Sequence, residues 1–206
     1  MLNVKSYITG PLGVNTYLGY DETKKAFIVD PGGYSEKITE YIRENGLEPE
    51  YIMLTHGHAD HIGGVAGFKE AFPQIKVIAY EDEKQMLADP YINSSMDILR
   101  KPITVEADIF VTDRENLTVG DTELTFIHTP GHTKGGMCII APGCVFSGDT
   151  LFRASIGRTD FYGGDFGEIV DSIRNRLFCL PDDTVVYPGH MGVTSIEYEK
   201  RNNPFV

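Results

Sequence analysis

Thr55-His56-Gly57-His58-Ala59-Asp60-His61-Ile62-Gly63-Gly64 places four potential metal ligands within six consecutive positions, His56 to His61. An apolar strand, 51–54, runs straight into it, and the paired glycines turn the chain away. His56 and His58 are two positions apart, so an extended loop points both rings the same way. Asp60 and His61 come next, as the chain turns, and can face a second point a few ångströms from the first. Core packing does not account for four such residues together. Neutral imidazole suits zinc, iron and related metals, and a carboxylate adds negative charge for a second ion.

The remaining histidines extend the pattern. The chain has only six. His132 lies in Thr129-Pro130-Gly131-His132-Thr133 and His190 in Tyr187-Pro188-Gly189-His190. Each follows an apolar strand and a Pro-Gly pair, as ligands displayed from loops on a rigid scaffold do. Asp149, in Phe146-Ser147-Gly148-Asp149-Thr150, also stands at a strand end. In that company its carboxylate reads as a bridging ligand rather than as a turn residue. One metal rarely needs so many donors, whereas two do.

Composition narrows the function classes. The chain has 206 residues and ordinary globular proportions, 41% hydrophobic and 23% charged, which argue against disorder. Its net charge of -12, without a Lys/Arg cluster, opposes a nucleic-acid partner. The N-terminus has no apolar signal core, and no apolar run approaches the length of a membrane span. The three cysteines, Cys138, Cys144 and Cys179, have neither an even count nor metal-ribbon spacing. Cys138 and Cys179 read as small core residues, and reduced thiols fit a cytoplasmic protein.

Strand signals cover 4–9, 15–20, 26–29, 51–54, 75–79, much of 117–146, and 184–187. The spacing predicts helices over 35–45, 66–72, 81–87 and 166–178, and a polar helix before Asn202-Asn203-Pro204. The stretch 91–106 has no clear period and reads as a long loop or helical insertion, either a functional loop or an ordinary surface excursion. Strands and helices interleave without a linker, which predicts one α/β domain over 1–206.

These residues resemble the metallo-β-lactamase superfamily, and within it the short, single-domain glyoxalase-II-like (hydroxyacylglutathione hydrolase-like) thioesterases. The resemblance runs from Asn15-Thr16-Tyr17 through Val29-Asp30-Pro31-Gly32-Gly33, the histidine stretch, His128 to Thr133 and Ser147 to Phe152, to Pro188-Gly189-His190. It implies a four-layer αββα sandwich with metals at one edge of the two sheets. It implies His56, His58 and His132 on one ion, Asp60, His61 and His190 on a second, and Asp149 bridging both. His128 matches no ligand position. Zinc is the expected metal, with iron or manganese as alternatives. The helical C-terminal domain with which longer glyoxalase II enzymes bind glutathione is not expected here. Arg158 matches the place of a basic substrate contact, and Arg153 is a weaker candidate.

The implied chemistry is hydrolysis of a small-molecule thioester or ester by a hydroxide held between the metals, with Asp60 and Asp149 as the catalytic carboxylates. A thiolate has a parent pKa of ~8.5 and departs without a strong acid. That favours a 2-hydroxyacyl thioester such as S-lactoylglutathione. The chief alternative is a mono-iron persulfide dioxygenase using His56, His132 and Asp149. Lactonase or β-lactamase activity comes next, although the cysteine that some lactamases carry is replaced here by Asp149.

Overall fold

The computed structural model describes residues 1–206. Six strands form the first sheet: β1 (Asn3–Thr9), β2 (Val14–Tyr20), β3 (Lys25–Val29), β4 (Glu48–Met53), β5 (Lys76–Tyr80) and β6 (Ile109–Val111), in that spatial order. The first three pair antiparallel through short turns, and β3 to β6 run parallel. Parallel neighbours need crossovers. These carry α1 (Glu36–Glu44), α2 (Ala59–Ile62), α3 (Val65–Ala71), α4 (Lys84–Ala88) and α5 (Ser95–Ile98).

The second half adds β7 (Asn116–Val119), β8 (Thr122–His128), β9 (Met137–Ala141) and β10 (Cys144–Gly148), then a two-stranded hairpin of β11 (Leu151–Phe152) and β12 (Ser155–Ile156). Next come α6 (Phe166–Ser172), β13 (Val185–Pro188), β14 (Thr194–Ser195) and α7 (Ile196–Asn202). The second sheet is ordered β14-β13-β10-β9-β8-β7.

Alternation along the strands builds the layers. In β3, Phe27 and Val29 face the space between the sheets, while Ala26 and Ile28 face α1 and α3. In β10, Phe146 faces inward and Val145 faces outward, toward Ile169 and Ile173. The three buried clusters are thus helix against sheet, sheet against sheet, and sheet against helix, which is the expected four-layer αββα arrangement. Phe27, Tyr17 and Phe146 fill the centre, with Phe27 edge-on to Phe146 at 5.9 Å.

Two local readings are corrected. The helix expected over 166–178 is α-helical only to Ser172, and Ile173–Leu177 widens into a π-type turn. Cys179, which follows that turn, is not in the core. It is exposed, and its thiol donates to the Asn175 carbonyl at 3.3 Å. Leu177 occupies the buried position instead. Cys138 is buried, as read. No helix is long and apolar enough to cross a membrane.

Candidate metal centre

The strands of both sheets end along one edge, and the loops leaving them carry the polar residues singled out above. His56 and His58 follow β4 and lead into α2, which bears Asp60 and His61. His132 lies between β8 and β9, Asp149 directly after β10, and His190 after β13. Gly148 makes the turn into Asp149 with φ 49°. A β-carbon there would overlap the Thr55 side chain, so glycine answers both the backbone and the packing.

All seven predicted ligands come together, in two groups. The donor atoms of His56, His58 and His132 lie within 4.8 Å of one another, as do those of Asp60, His61 and His190. His58 presents its Nδ1, 2.9 Å from His132 Nε2. Asp149 stands between the groups. Its Oδ1 is 3.3 Å from His61 Nε2, and its Oδ2 is 3.7 Å from the Nε2 of both His132 and His190. Asp60 Oδ2 is 3.3 Å from His190 Nε2.

The far sides of the rings are fixed. His132 Nδ1 donates to the Arg158 carbonyl at 2.7 Å, and His61 Nδ1 donates to Asp30 Oδ2 at 3.0 Å. His56 Nδ1 lies 3.1 Å from the Thr55 hydroxyl, which donates to Asp30 Oδ2 at 2.6 Å. Such outer contacts set the ring tautomer and aim the opposite nitrogen. Asp30 also accepts from the Thr55 amide at 2.8 Å. It lies near His56 and His61, but its oxygens are committed to these hydrogen bonds, so it orients rather than ligates. It does so at φ 48°, an uncommon conformation for a residue other than glycine.

The electrostatics favour cations. Burial holds the His56 ring well below the usual imidazole range, and burial beside His132 pushes His58 down to about 3. Both are therefore neutral, as metal ligands must be. Burial also opposes charge on His61, but the Asp149, Asp60 and Asp30 carboxylates outweigh it and raise that ring. Asp149 stays ionised. Burial alone would push it up, and His61, His132 and His190 more than reverse this. Buried His56 Nε2, His61 Nε2 and Asp149 Oδ1 have no hydrogen-bond partner. Unpartnered buried polar atoms are rare in native proteins and call for an explanation. The neutral His56 and His58 rings, the ionised Asp149 and the converging unpartnered atoms fit divalent cations, which would take the place of the proton that the carboxylates favour on His61.

The remaining residues singled out in the sequence divide. His128 lies outside the centre. Its ring stacks on Tyr80 at 4.3 Å, and its Nε2 donates to the Lys134 carbonyl at 2.9 Å. Arg158 reaches the cavity above the ligands, but its guanidinium is held by Asp160 at 2.9 and 2.7 Å. Arg153 does not line that cavity and lies over the Tyr198 ring at 5.2 Å. The long loop reaches the cavity, where Ser94 and Ile98 form part of the wall.

Beside the orienting role of Asp30, one further buried carboxyl was not legible in the sequence. Glu83, 1% exposed, accepts from the Gly57 amide at 2.7 Å and from the Gly135 amide at 2.9 Å. It thereby ties the loop of His56 and His58 to the loop of His132. Only its place in an otherwise amphipathic helical stretch could have marked it.

A family model described as the metallo-beta-lactamase superfamily matches residues 9–190. The chain belongs to the metallo-β-lactamase superfamily. Within it, the probable metallo-hydrolase YqgX of Bacillus subtilis is 37% identical over 96% of this chain and 94% of its own length. The hydroxyacylglutathione hydrolase GloC of Haemophilus influenzae is 34% identical over 93% and 92%. Among solved structures, BLEG-1, a B3 metallo-β-lactamase, superposes with a TM-score of 0.92 at 39% identity, covering 98% of this chain and 99% of that one. TTHA1623, solved in a di-iron-bound form, gives 0.85 at 32%, covering 98% and 100%. In all four pairs the coverage is nearly complete on both sides, so the superfamily fold accounts for nearly the whole chain.

Proposed function

We propose that this metallo-hydrolase-superfamily chain is a binuclear hydrolase of small thioesters. His56, His58 and His132 hold one ion, Asp60, His61 and His190 hold the other, and Asp149 is shared. The observation that carries the proposal is the position of Asp149, with one oxygen toward His61 and the other toward His132 and His190. Zinc or iron suits such donors, and a di-iron form is known for the related TTHA1623. When bound, such ions make a nucleophile of water near neutral pH and polarise a carbonyl.

The protein's own contribution is positioning. Asp30, Thr55 and the Arg158 carbonyl aim the rings. Asp60 stays anionic beside the reacting position, where it can accept a hydrogen bond from the attacking water and orient it, while the Asp149 carboxylate is spent on holding the ions. The imidazoles and carboxylates that line the cavity are those of the proposed ligands, and His128 is engaged elsewhere. A leaving group that needs little acid assistance fits this wall, and a thiolate is one. The 34% identity to GloC supports the same class.

Two further readings have specific support or a specific objection. The relation to a B3 metallo-β-lactamase favours β-lactam hydrolysis, and Asp149 where some lactamases carry a cysteine counts against it. The mono-iron dioxygenase reading uses His56, His132 and Asp149. It leaves the Asp60, His61 and His190 group without a role. The test is release of thiol from S-lactoylglutathione by protein as purified, with a chromogenic cephalosporin and a persulfide assayed in parallel. Thiol release that is lost in Asp149→Ala supports the proposal. Turnover of the cephalosporin or persulfide alone contradicts it.

A further inference from the structure

Resting on the thioesterase reading, we infer that this site takes a thioester whose acyl chain is uncharged and apolar and whose thiol bears no carboxylates. The cavity above the ligands has a volume of about 410 Å³, within the range of small-molecule sites (~300–1,000 Å³). Its wall outside the ligands is dominated by Leu12, Ile98, Phe152, Ile156, Phe161 and Met191. Three of these leave apolar surface in water. Leu12 is 53% exposed, Met191 59% and Phe161 37%. Solvated apolar surface gathered at the mouth of a site is surface that a ligand can cover.

The loop that carries a proposed ligand also places one of these side chains. Met191 follows His190 and sits at φ 67°, in the left-handed region that non-glycine residues rarely occupy. Asn15 holds it there, donating its Nδ2 to the Met191 carbonyl at 2.9 Å and to the Pro188 carbonyl at 3.0 Å. The strained turn that sets His190 thus sets a thioether at the cavity rim.

The charge balance points the same way. Arg158 is the one Lys or Arg in the wall. Asp160 grips it through two hydrogen bonds, and Phe161 lies under it, 4.2 Å from guanidinium carbon to ring centroid. A carboxylate brought to Arg158 therefore also meets the Asp160 carboxylate. Glutathione carries two carboxylates, and no second cation in the wall receives the other.

The test reads binding, so it does not depend on turnover. Inert S-alkyl thioethers of N-acetylcysteamine, from methyl to hexyl, and S-hexylglutathione are titrated calorimetrically into the protein as purified. A buried methylene is worth ~0.8 kcal/mol, which converts to about fourfold in affinity. The expected Kd falls roughly two- to fourfold per added methylene, and S-hexylglutathione binds no tighter than its uncharged counterpart. Phe161→Ser and, independently, Ile98→Ser flatten this dependence, with thermal unfolding confirming that each variant is folded. A Kd independent of chain length, or a glutathione derivative binding more than tenfold tighter than its uncharged counterpart, overturns the inference. Hydrolysis of an uncharged thioester, S-hexanoyl-N-acetylcysteamine, is scored separately. Its absence counts against the thioesterase reading, while the chain-length series decides the apolar preference.

Discussion

Glu83 brings a carboxyl into surroundings where it is almost wholly buried, and two backbone amides justify its presence. Burial pushes its pKa up, and the Gly57 and Gly135 amides pull against that shift. A buried N–H left without an acceptor costs about 1–3 kcal/mol. Glu83→Ala leaves two of them, so it should destabilise the protein by about 2–6 kcal/mol. Because the two amides belong to the loops of His56, His58 and His132, metal affinity should fall as well. Denaturant midpoints and a metal titration check both effects, and a variant with unchanged metal affinity would show that the link is only structural. The clustering of the seven side chains at one edge was legible in the sequence because their spacing is chemically specific. Glu83 and Asp30 were not. One lies in a stretch that looks like an ordinary surface helix, and the other in an Asp-Pro-Gly-Gly turn. A carboxylate that orients a ligand is defined by what it touches across the fold, and local sequence does not record that.

The elements matter here through how they end. Gly131 has φ 124°, and its β-carbon position is occupied by the backbone of Ile169 in α6. The same loop is tied to α6 by the Asp165 amide, which donates to the Gly131 carbonyl at 2.9 Å. Gly131→Ala would force α6 away from the loop of His132. We expect a loss of roughly 2–4 kcal/mol, from backbone strain and disturbed packing together, read as a lower denaturant midpoint and accompanied by weaker metal binding. Stability unchanged to within about 0.5 kcal/mol would show that the loop relaxes freely. The strands were legible because alternation survives in them, as in β3 and β10. The break at Ile173 was not, since a π-type turn keeps an apolar helical pattern while shifting its phase. Cys179, just past that turn, was misplaced. The segment 91–106 gave no periodicity because hydrogen bonds order it. Asn93 Nδ2 donates to the Ile103 carbonyl, and the Ile103 amide donates to the Ser95 hydroxyl.

Across the whole molecule, the two sheets are stapled far from the metal edge as well as packed. Asp21, 3% exposed at the end of β2, accepts from the Asp121 amide at 2.7 Å and from the Thr122 hydroxyl at 2.9 Å, at the β7–β8 turn of the other sheet. Burial would raise its pKa, but these bonds and those from Thr23 outweigh it and lower it. A carboxylate depressed in the folded state adds stability above its unfolded pKa, about 3.9, and loses that contribution as pH falls through its folded value. Asp21→Asn should therefore cost about 1–3 kcal/mol at pH 7, and the gap from wild type should close as pH drops below about 4. Urea unfolding at both pH values measures it, and a gap independent of pH would rule out the charged form as its source. The layer order of the molecule followed from the sequence once the superfamily resemblance was drawn. The inter-sheet staple did not, because it joins residues a hundred positions apart.

The central claim is that seven side chains at one sheet edge make a site for two ions, and metal content tests it most directly. Elemental analysis of the purified protein, with His61→Ala beside it, should give close to two zinc or iron ions per chain for the wild type and a lower ratio for the variant. A wild-type ratio near one, unchanged by His61→Ala, would contradict the two-metal account.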